Sequence, residues 1–429
     1  MNVQIHVVQQ GQTLSGIAQV YGTTYQEIAE ANEIPAPYWL AVGQALVIPI
    51  DGSYHWVQAG QTLTIVARMY GVSVNELARI NNISPSQGLQ VGQRLYIPPR
   101  PKRSAEALLY VEPRTPIAPS MIEEVRRRSP QITYLAMFSY EVQRDGSLKA
   151  PNIDDIPSIA RAAGATNALV CSNLEEFAFS ADLAHVVFTD QTVQNRLIDN
   201  LVQTAKEVGY RDIHFDFEIM HPEDRELYNS FLRKARDRFH AEGLTISTAL
   251  APMASDVRTG IYGAHDYAAH GEIVDFVSLM TYEWGYMFSN PGPVSPLPQV
   301  RGVVEYAVTK IPRHKIFLGQ NLYGYDWSAP FPPEGGPPAR AISPQNAVMR
   351  AINERVAIQY DYRAQAPHFT YTDDAGVRHE VWFEDARSIQ AKFDLIKEFQ
   401  LRGIMYWKLG LDFPQNWLLL TDNFNIRQL

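Results

Sequence analysis

The first hundred residues say the same thing twice. Gly11-Gln12-Thr13-Leu14 returns as Gly60-Gln61-Thr62-Leu63, an offset of 49 residues. The echo persists at that offset in Tyr21-Gly22 and Tyr70-Gly71, Asn32 and Asn81, Val42-Gly43-Gln44 and Val91-Gly92-Gln93, and Ile48-Pro49 and Ile97-Pro98. Self-similarity at a fixed period restricts this stretch to two copies of one supersecondary unit. Each copy opens with a β-like run (His6-Val7-Val8, His55-Trp56-Val57) and a Gly turn. Leu14, Ile17, Ala18 and Tyr21 follow, spaced by three and four so that one helix face is apolar. The Gly after Tyr suits a helix C-cap. A second helical run leads to Asn32 or Asn81, and an apolar run closes the unit, which predicts β-α-α-β modules at 1–50 and 51–99.

Both copies resemble the LysM module, whose role is to bind glycans containing N-acetylglucosamine. The resemblance implies contacts from the loop after the first strand, Gly11, Gln12 and Thr13 with Gly60, Gln61 and Thr62. It also implies contacts from the turn after the second helix, Asn32 and Asn81. The plainer alternative is a repeat that serves only folding or oligomerisation.

A Pro-rich, basic spacer at 98–104 separates the modules from residues 100–429. There, β-like runs at 107–112, 132–140, 167–172, 212–218, 244–250, 274–282, 315–322 and 403–408 alternate with helical stretches. Eight strands alternating with helices predict an α/β fold, a (β/α)8 TIM barrel. The longest gap, between strands seven and eight, carries a hairpin signal around Asp373-Asp374-Ala375-Gly376 and predicts a small α+β insertion at 328–388 over the barrel mouth. The 429 residues carry a net charge of −9, which opposes a phosphate backbone, so nucleic acid is excluded as a default partner. The single cysteine, Cys171, excludes an intramolecular disulfide and a Cys-based zinc site. Neither a signal peptide nor an apolar run long enough for membrane insertion stands out.

In such a barrel, chemistry sits at the C-terminal ends of the strands. The fourth reads Asp212-Ile213-His214-Phe215-Asp216-Phe217-Glu218, and period-2 alternation places His214, Asp216 and Glu218 on one face. An ionised Asp216 beside Glu218 would disfavour a second negative charge and leave Glu218 protonated, ready to serve as a general acid. A purely structural hydrogen-bonded cluster is the alternative, as is a metal site formed by His214, Asp216, Glu218 and His221. No second acidic or histidine cluster completes that metal site.

This strand resembles the D-x-x-D-x-D-x-E signature of family-18 glycoside hydrolases. The last two acidic positions hold, while the first two fall on Arg211 and His214. The resemblance implies that Glu218 donates the proton and that Asp216 holds the substrate's 2-acetamido group. His214, where the family has an acidic residue, can hydrogen-bond to Asp216 and, if protonated, hold that carboxylate ionised. Leu279-Met280-Thr281-Tyr282-Glu283-Trp284 is similar to the family's M-x-Y-D element with Glu283 replacing Asp. It implies that Tyr282 steadies the acetamido oxygen, with Met280 packed beside it. Trp407 resembles the aromatic floor under the distorted sugar, and Tyr140, Gln320 and Asn321 are further candidates for sugar contacts.

The implied mechanism is substrate-assisted retention, with no cofactor and no metal. Paired modules before such a barrel are similar, over essentially the whole chain, to the spore cortex-lytic N-acetylglucosaminidases of spore-forming bacteria. That resemblance implies cleavage of peptidoglycan strands and residence in the spore's outer layers without a signal peptide. The alternatives are a non-catalytic peptidoglycan- or chitin-binding coat protein and a chitinase.

Overall fold

The computed structural model describes residues 3–99, 101–411 and 413–429. Met1 and Asn2, the first residues of the first expected module, and Arg100, the first residue of the expected barrel segment, lie outside the described residues.

The two modules fold alike because their caps are alike. Thr13 and Thr62 accept hydrogen bonds from Gly16 N and Ile65 N and start the helices Leu14–Tyr21 and Leu63–Tyr70. Gly22 and Gly71, at φ 70° and 64°, end them in the left-handed conformation. Thr24 and Glu27 form a capping box on the second helix of module 1, Tyr25–Ala31. In each module an antiparallel strand pair, Gln4–Val7 with Ala45–Ile48 or Ser53–Trp56 with Arg94–Ile97, holds the ends together.

Eight parallel strands then close a barrel: Arg103–Val111, Tyr134–Val142, Thr166–Ser172, Asp212–Asp216, Thr245–Leu250, Phe276–Leu279, Ile316–Asn321 and Gly403–Trp407. The eighth pairs with both the seventh and the first, which completes the cylinder. Its interior is filled by Leu108, Tyr110, Tyr134, Ala136, Phe276, Phe317 and Met405. The opposite strand faces pack on the surrounding helices. On the fourth strand, Phe215 meets Phe231 at 5.3 Å between ring centres, and beyond its end Phe217 stacks on Tyr228, both partners lying on the helix Arg225–Ala241. The outward turn of these phenylalanines directs His214 and Asp216 inward.

The insertion is a five-stranded antiparallel sheet with one helix, Pro344–Asn353, and it includes the expected hairpin, Ala366–Thr372 with Arg378–Trp382. Its first strand, Gly324–Ser328, begins before the expected boundary at 328, because Tyr325 and Trp327 alternate into an aromatic cluster continuous with the barrel mouth.

Module 1 is docked on the barrel. Ala45 and Val47 belong to the barrel's helix-side core, and Ala41 packs into the core of the insertion. Gln345 Nε2 donates to the Glu33 carbonyl at 2.8 Å, Arg387 donates to the Gly43 carbonyl at 3.1 Å, and Arg127 pairs with Glu33. Module 2 is held through module 1, where Tyr54 exchanges two backbone hydrogen bonds with the Gln4 side chain, Arg94 donates to the Val20 carbonyl, and Trp56 meets Tyr21 edge-on.

Candidate active site

A cavity of about 480 Å³ opens at the C-terminal ends of the strands, lined by Tyr110, Asp216, Glu218, Met280, Tyr282 and Trp407, with Tyr323 and Tyr325 reaching in from the insertion. The fourth strand ends at Asp216, and Glu218 lies two residues beyond. The Asn173 side chain fixes that extension: its Oδ1 accepts from Glu218 N and its Nδ2 donates to the Glu218 carbonyl, both at 2.9 Å. From the other side His265 accepts from Ala251 N at Nδ1, so its Nε2 carries the proton and donates to the Phe217 carbonyl at 3.0 Å.

The electrostatics follow from burial. Glu218 is pushed well above the usual carboxylate range, first by burial and then by the Asp216 charge. The order of causes refines the sequence expectation, in which the neighbouring charge alone held the proton. Asp216 is also raised by burial, and its Oδ1 has no hydrogen-bond partner among the described residues. A buried carboxylate oxygen without a donor is costly, and a ligand N–H would satisfy it. Tyr282 is held neutral first by burial and then by the Asp216 charge, and among the described residues its hydroxyl meets only Met405 Sδ at 4.0 Å. It is free to donate to a ligand. Glu283, at φ 68°, receives the hydroxyls of Tyr323 and Tyr325. Trp407 sits edge-on to Tyr110 and Phe138 at 5.3 and 4.9 Å.

His214 does not bond Asp216, contrary to expectation. Its Nε2 meets Tyr110 Oη at 2.5 Å and its Nδ1 meets Ser247 Oγ at 2.6 Å, while Ser247 donates to Asp212 Oδ2 at 2.5 Å. Ser247 has one proton, given to Asp212, so it accepts from His214 Nδ1–H, and Nε2 accepts from Tyr110. Burial pushes the imidazole down to about 3, which keeps it neutral, so it cannot act as a cation beside Asp216. Both its nitrogens are occupied, and His221 turns to Asp182 at 2.9 Å, so the four residues of the alternative metal reading do not converge. Sequence reasoning passed over Tyr110, Asn173, Asp212 and Ser247. The signal for Asp212 was its parity, two residues before His214 on the same strand face.

The sequence pattern of "Glycosyl hydrolases family 18" matches residues 126–412, and that of the LysM domain matches 6–49 and 55–98. The chain belongs to glycosyl hydrolases family 18. It is similar to the cortical fragment-lytic enzymes of Bacillus subtilis, 61% identical over 99% of both chains, and of Bacillus anthracis, 51% identical over the same shares. Among solved structures it is similar to the Bacillus cereus spore cortex-lytic enzyme SleL, with a TM-score of 0.91 at 47% identity, covering 100% of this chain and 99% of that one. The Bacillus megaterium SleL structure matches with a TM-score of 0.92 at 49% identity, over the same shares.

The family-18 cavity gathers Asp216, Glu218, Met280, Tyr282, Glu283 and Trp407, but not every expected residue. Tyr140 faces the helices and meets Tyr210 Oη at 3.1 Å. A register shift between Met137 and Tyr140 breaks the alternation and gives the cavity Phe138 instead. Gln320 and Asn321 are wholly buried and outside the cavity lining; Gln320 Nε2 donates to the Asn321 carbonyl and Asn321 Nδ2 to the Tyr323 carbonyl, while Gln320 Oε1 has no partner among the described residues. In the modules, Asn32 brackets Ile28 and Val47, and Asn81 brackets Leu77 and Tyr96, through backbone hydrogen bonds. Gln12 and Gln61 brace their turns against His6 and His55, and Thr13 and Thr62 are helix caps. These polar side chains make hydrogen bonds within the module, and of them Asn32 is buried, while Thr13 and Thr62 are exposed beside Gly11 and Gly60.

Proposed function

We propose that this enzyme hydrolyses the β-1,4 bond on the reducing side of N-acetylglucosamine in spore cortex peptidoglycan, during germination, by a retaining, substrate-assisted mechanism. Glu218 donates its proton to the glycosidic oxygen as the sugar's own acetamido oxygen attacks the anomeric carbon. Asp216 Oδ1 accepts the acetamido N–H, Tyr282 donates to the acetamido oxygen, and Trp407 lies under the distorted ring. Glu218 then takes a proton from the water that opens the cyclic intermediate, with retention.

The observation that carries this reading is the pairing of a carboxyl kept protonated by burial with an adjacent carboxylate oxygen that lacks a donor. The cortical fragment-lytic relatives support the substrate. In this reading the LysM modules hold peptidoglycan strands and raise the local substrate concentration, and the site of action is the spore's outer layers. Glu218→Gln is expected to bind cortical fragments yet release reducing ends about a thousandfold more slowly. Wild-type turnover by that variant overturns the assignment of the acid.

A further inference from the structure

The catalytic cavity continues past Phe138 and Phe179 into a second cavity formed by the loops after the first three barrel strands. At its rim stands Phe177, 99% exposed. It occupies the tip of a hairpin, Leu174–Glu175 paired with Ala178–Phe179, whose two central residues, Glu176 and Phe177, have φ of 50° and 69°. This two-residue turn ordinarily takes Asn-Gly. A bulky residue in the left-handed region is strained, and a fully exposed ring recovers nothing from the core. Folding therefore gives no reason for a phenylalanine here.

The hairpin is also rigid. Arg144 forms two hydrogen bonds of 2.7 Å to Glu175, and Ser180 Oγ donates to Glu175 at 2.9 Å. Asn173, which holds the Glu218 backbone, also donates to the Ser180 carbonyl at 3.0 Å, so one side chain ties the hairpin base to the proton donor. Within the second cavity, Glu141 is neutralised by Lys149 and Glu112 by Lys408. An aromatic face over a charge-balanced floor suits a pyranose ring, with an apolar CH face and polar hydroxyl edges.

We infer that Phe177 is a preorganised platform for a further sugar of the glycan chain, beyond the residue held in the catalytic cavity, and so sets the preference for polymer over short substrates. This deepens the proposed function and rests on it. Phe177→Asn removes the ring but suits the left-handed backbone, and Phe177→Trp keeps an aromatic face. On long cortical glycan fragments Phe177→Asn is expected to raise KM about tenfold with kcat unchanged, and Phe177→Trp to restore it. Turnover of a short aryl glycoside of N-acetylglucosamine is expected to stay unchanged, and the melting temperature to stay level or rise.

An unchanged KM on the long fragments overturns the platform. So does an equal loss on both substrates, or a lowered melting temperature, either of which assigns the ring to folding. If the wild-type enzyme cleaves the aryl glycoside but not the cortical fragments, the peptidoglycan reading fails instead, and chitin oligosaccharides of graded length then test Phe177 in the same way.

Discussion

Two modules of the same ancestry in sequence have different fates in the structure. In module 1 the closing strand, Ala45–Ile48, is buried at every position, and Ala45 and Val47 enter the barrel's core. In module 2 the corresponding strand reads Arg94-Leu95-Tyr96-Ile97, with Arg94 exposed and Tyr96 half-buried. Gly43 and Gly92 share a left-handed backbone at φ 83° and 81°. A Cβ on Gly43 would lie 1.8 Å from the Ile358 carbonyl oxygen, whereas one on Gly92 would meet nothing within 4 Å. The first-helix caps and asparagine brackets are common to both copies, so the two modules share one internal scaffold. The residues that differ between copies record what each one touches.

The sharpest way to break this comparison is Gly43→Ala beside Gly92→Ala. Both incur the backbone penalty of about 1 kcal/mol, but only Gly43→Ala must also part module 1 from the insertion, for a total of about 3 kcal/mol or more. Calorimetry is expected to show the larger loss at position 43 with faster proteolysis between module 1 and the barrel, and equal losses would mean that the docking is weak. Next comes Asn32→Ala beside Asn81→Ala. The first removes the side-chain partners of the buried Val47 N–H and C=O, a loss of about 1–3 kcal/mol, whereas the Ile28 carbonyl keeps the Asn32 backbone N–H; the part-buried second site admits water and loses less. Denaturant melts read both.

Arg127→Ala removes an ion pair at the rim of the docked face and is expected to cost about 0–1 kcal/mol, vanishing in high salt. The smallest effect is on the chemistry. In the proposed mechanism Glu218 donates only while protonated, so the rate is expected to fall as pH rises through its raised pKa. None of the module variants is expected to move that limb of the pH–rate profile. A shift would mean that module 1 reaches the cavity.

Much of this was legible before any coordinates. The repeat, through paired Gly and Asn positions, marked the two stretches in which the LysM pattern matches, 6–49 and 55–98, and the eight strands lie within a few residues of where apolar runs placed them, because parallel strands buried on both faces leave a continuous apolar trace. Alternation placed Asp216 correctly because the fourth strand is regular. It failed at Tyr140, where the register slips, since a bulge leaves no mark in a hydrophobic pattern. The line from Tyr110 through His214 and Ser247 to Asp212 joins three strands, and pairings between strands are set by barrel closure, not by spacing along the chain. Asn32 and Asn81 looked like surface residues because polar loop positions usually are, and only the structure shows them stitching strand to helix.

The module that precedes the barrel directly in sequence is the one that reaches it through the other, so a length of chain leaves the barrel, folds, and returns to grip it. In the proposed function, where the modules hold glycan, surfaces mounted in this way work as a jig, not a leash. A strand seized by the modules is offered to the cutting site at a constant offset, and the lengths of the pieces released would carry the dimensions of the enzyme itself.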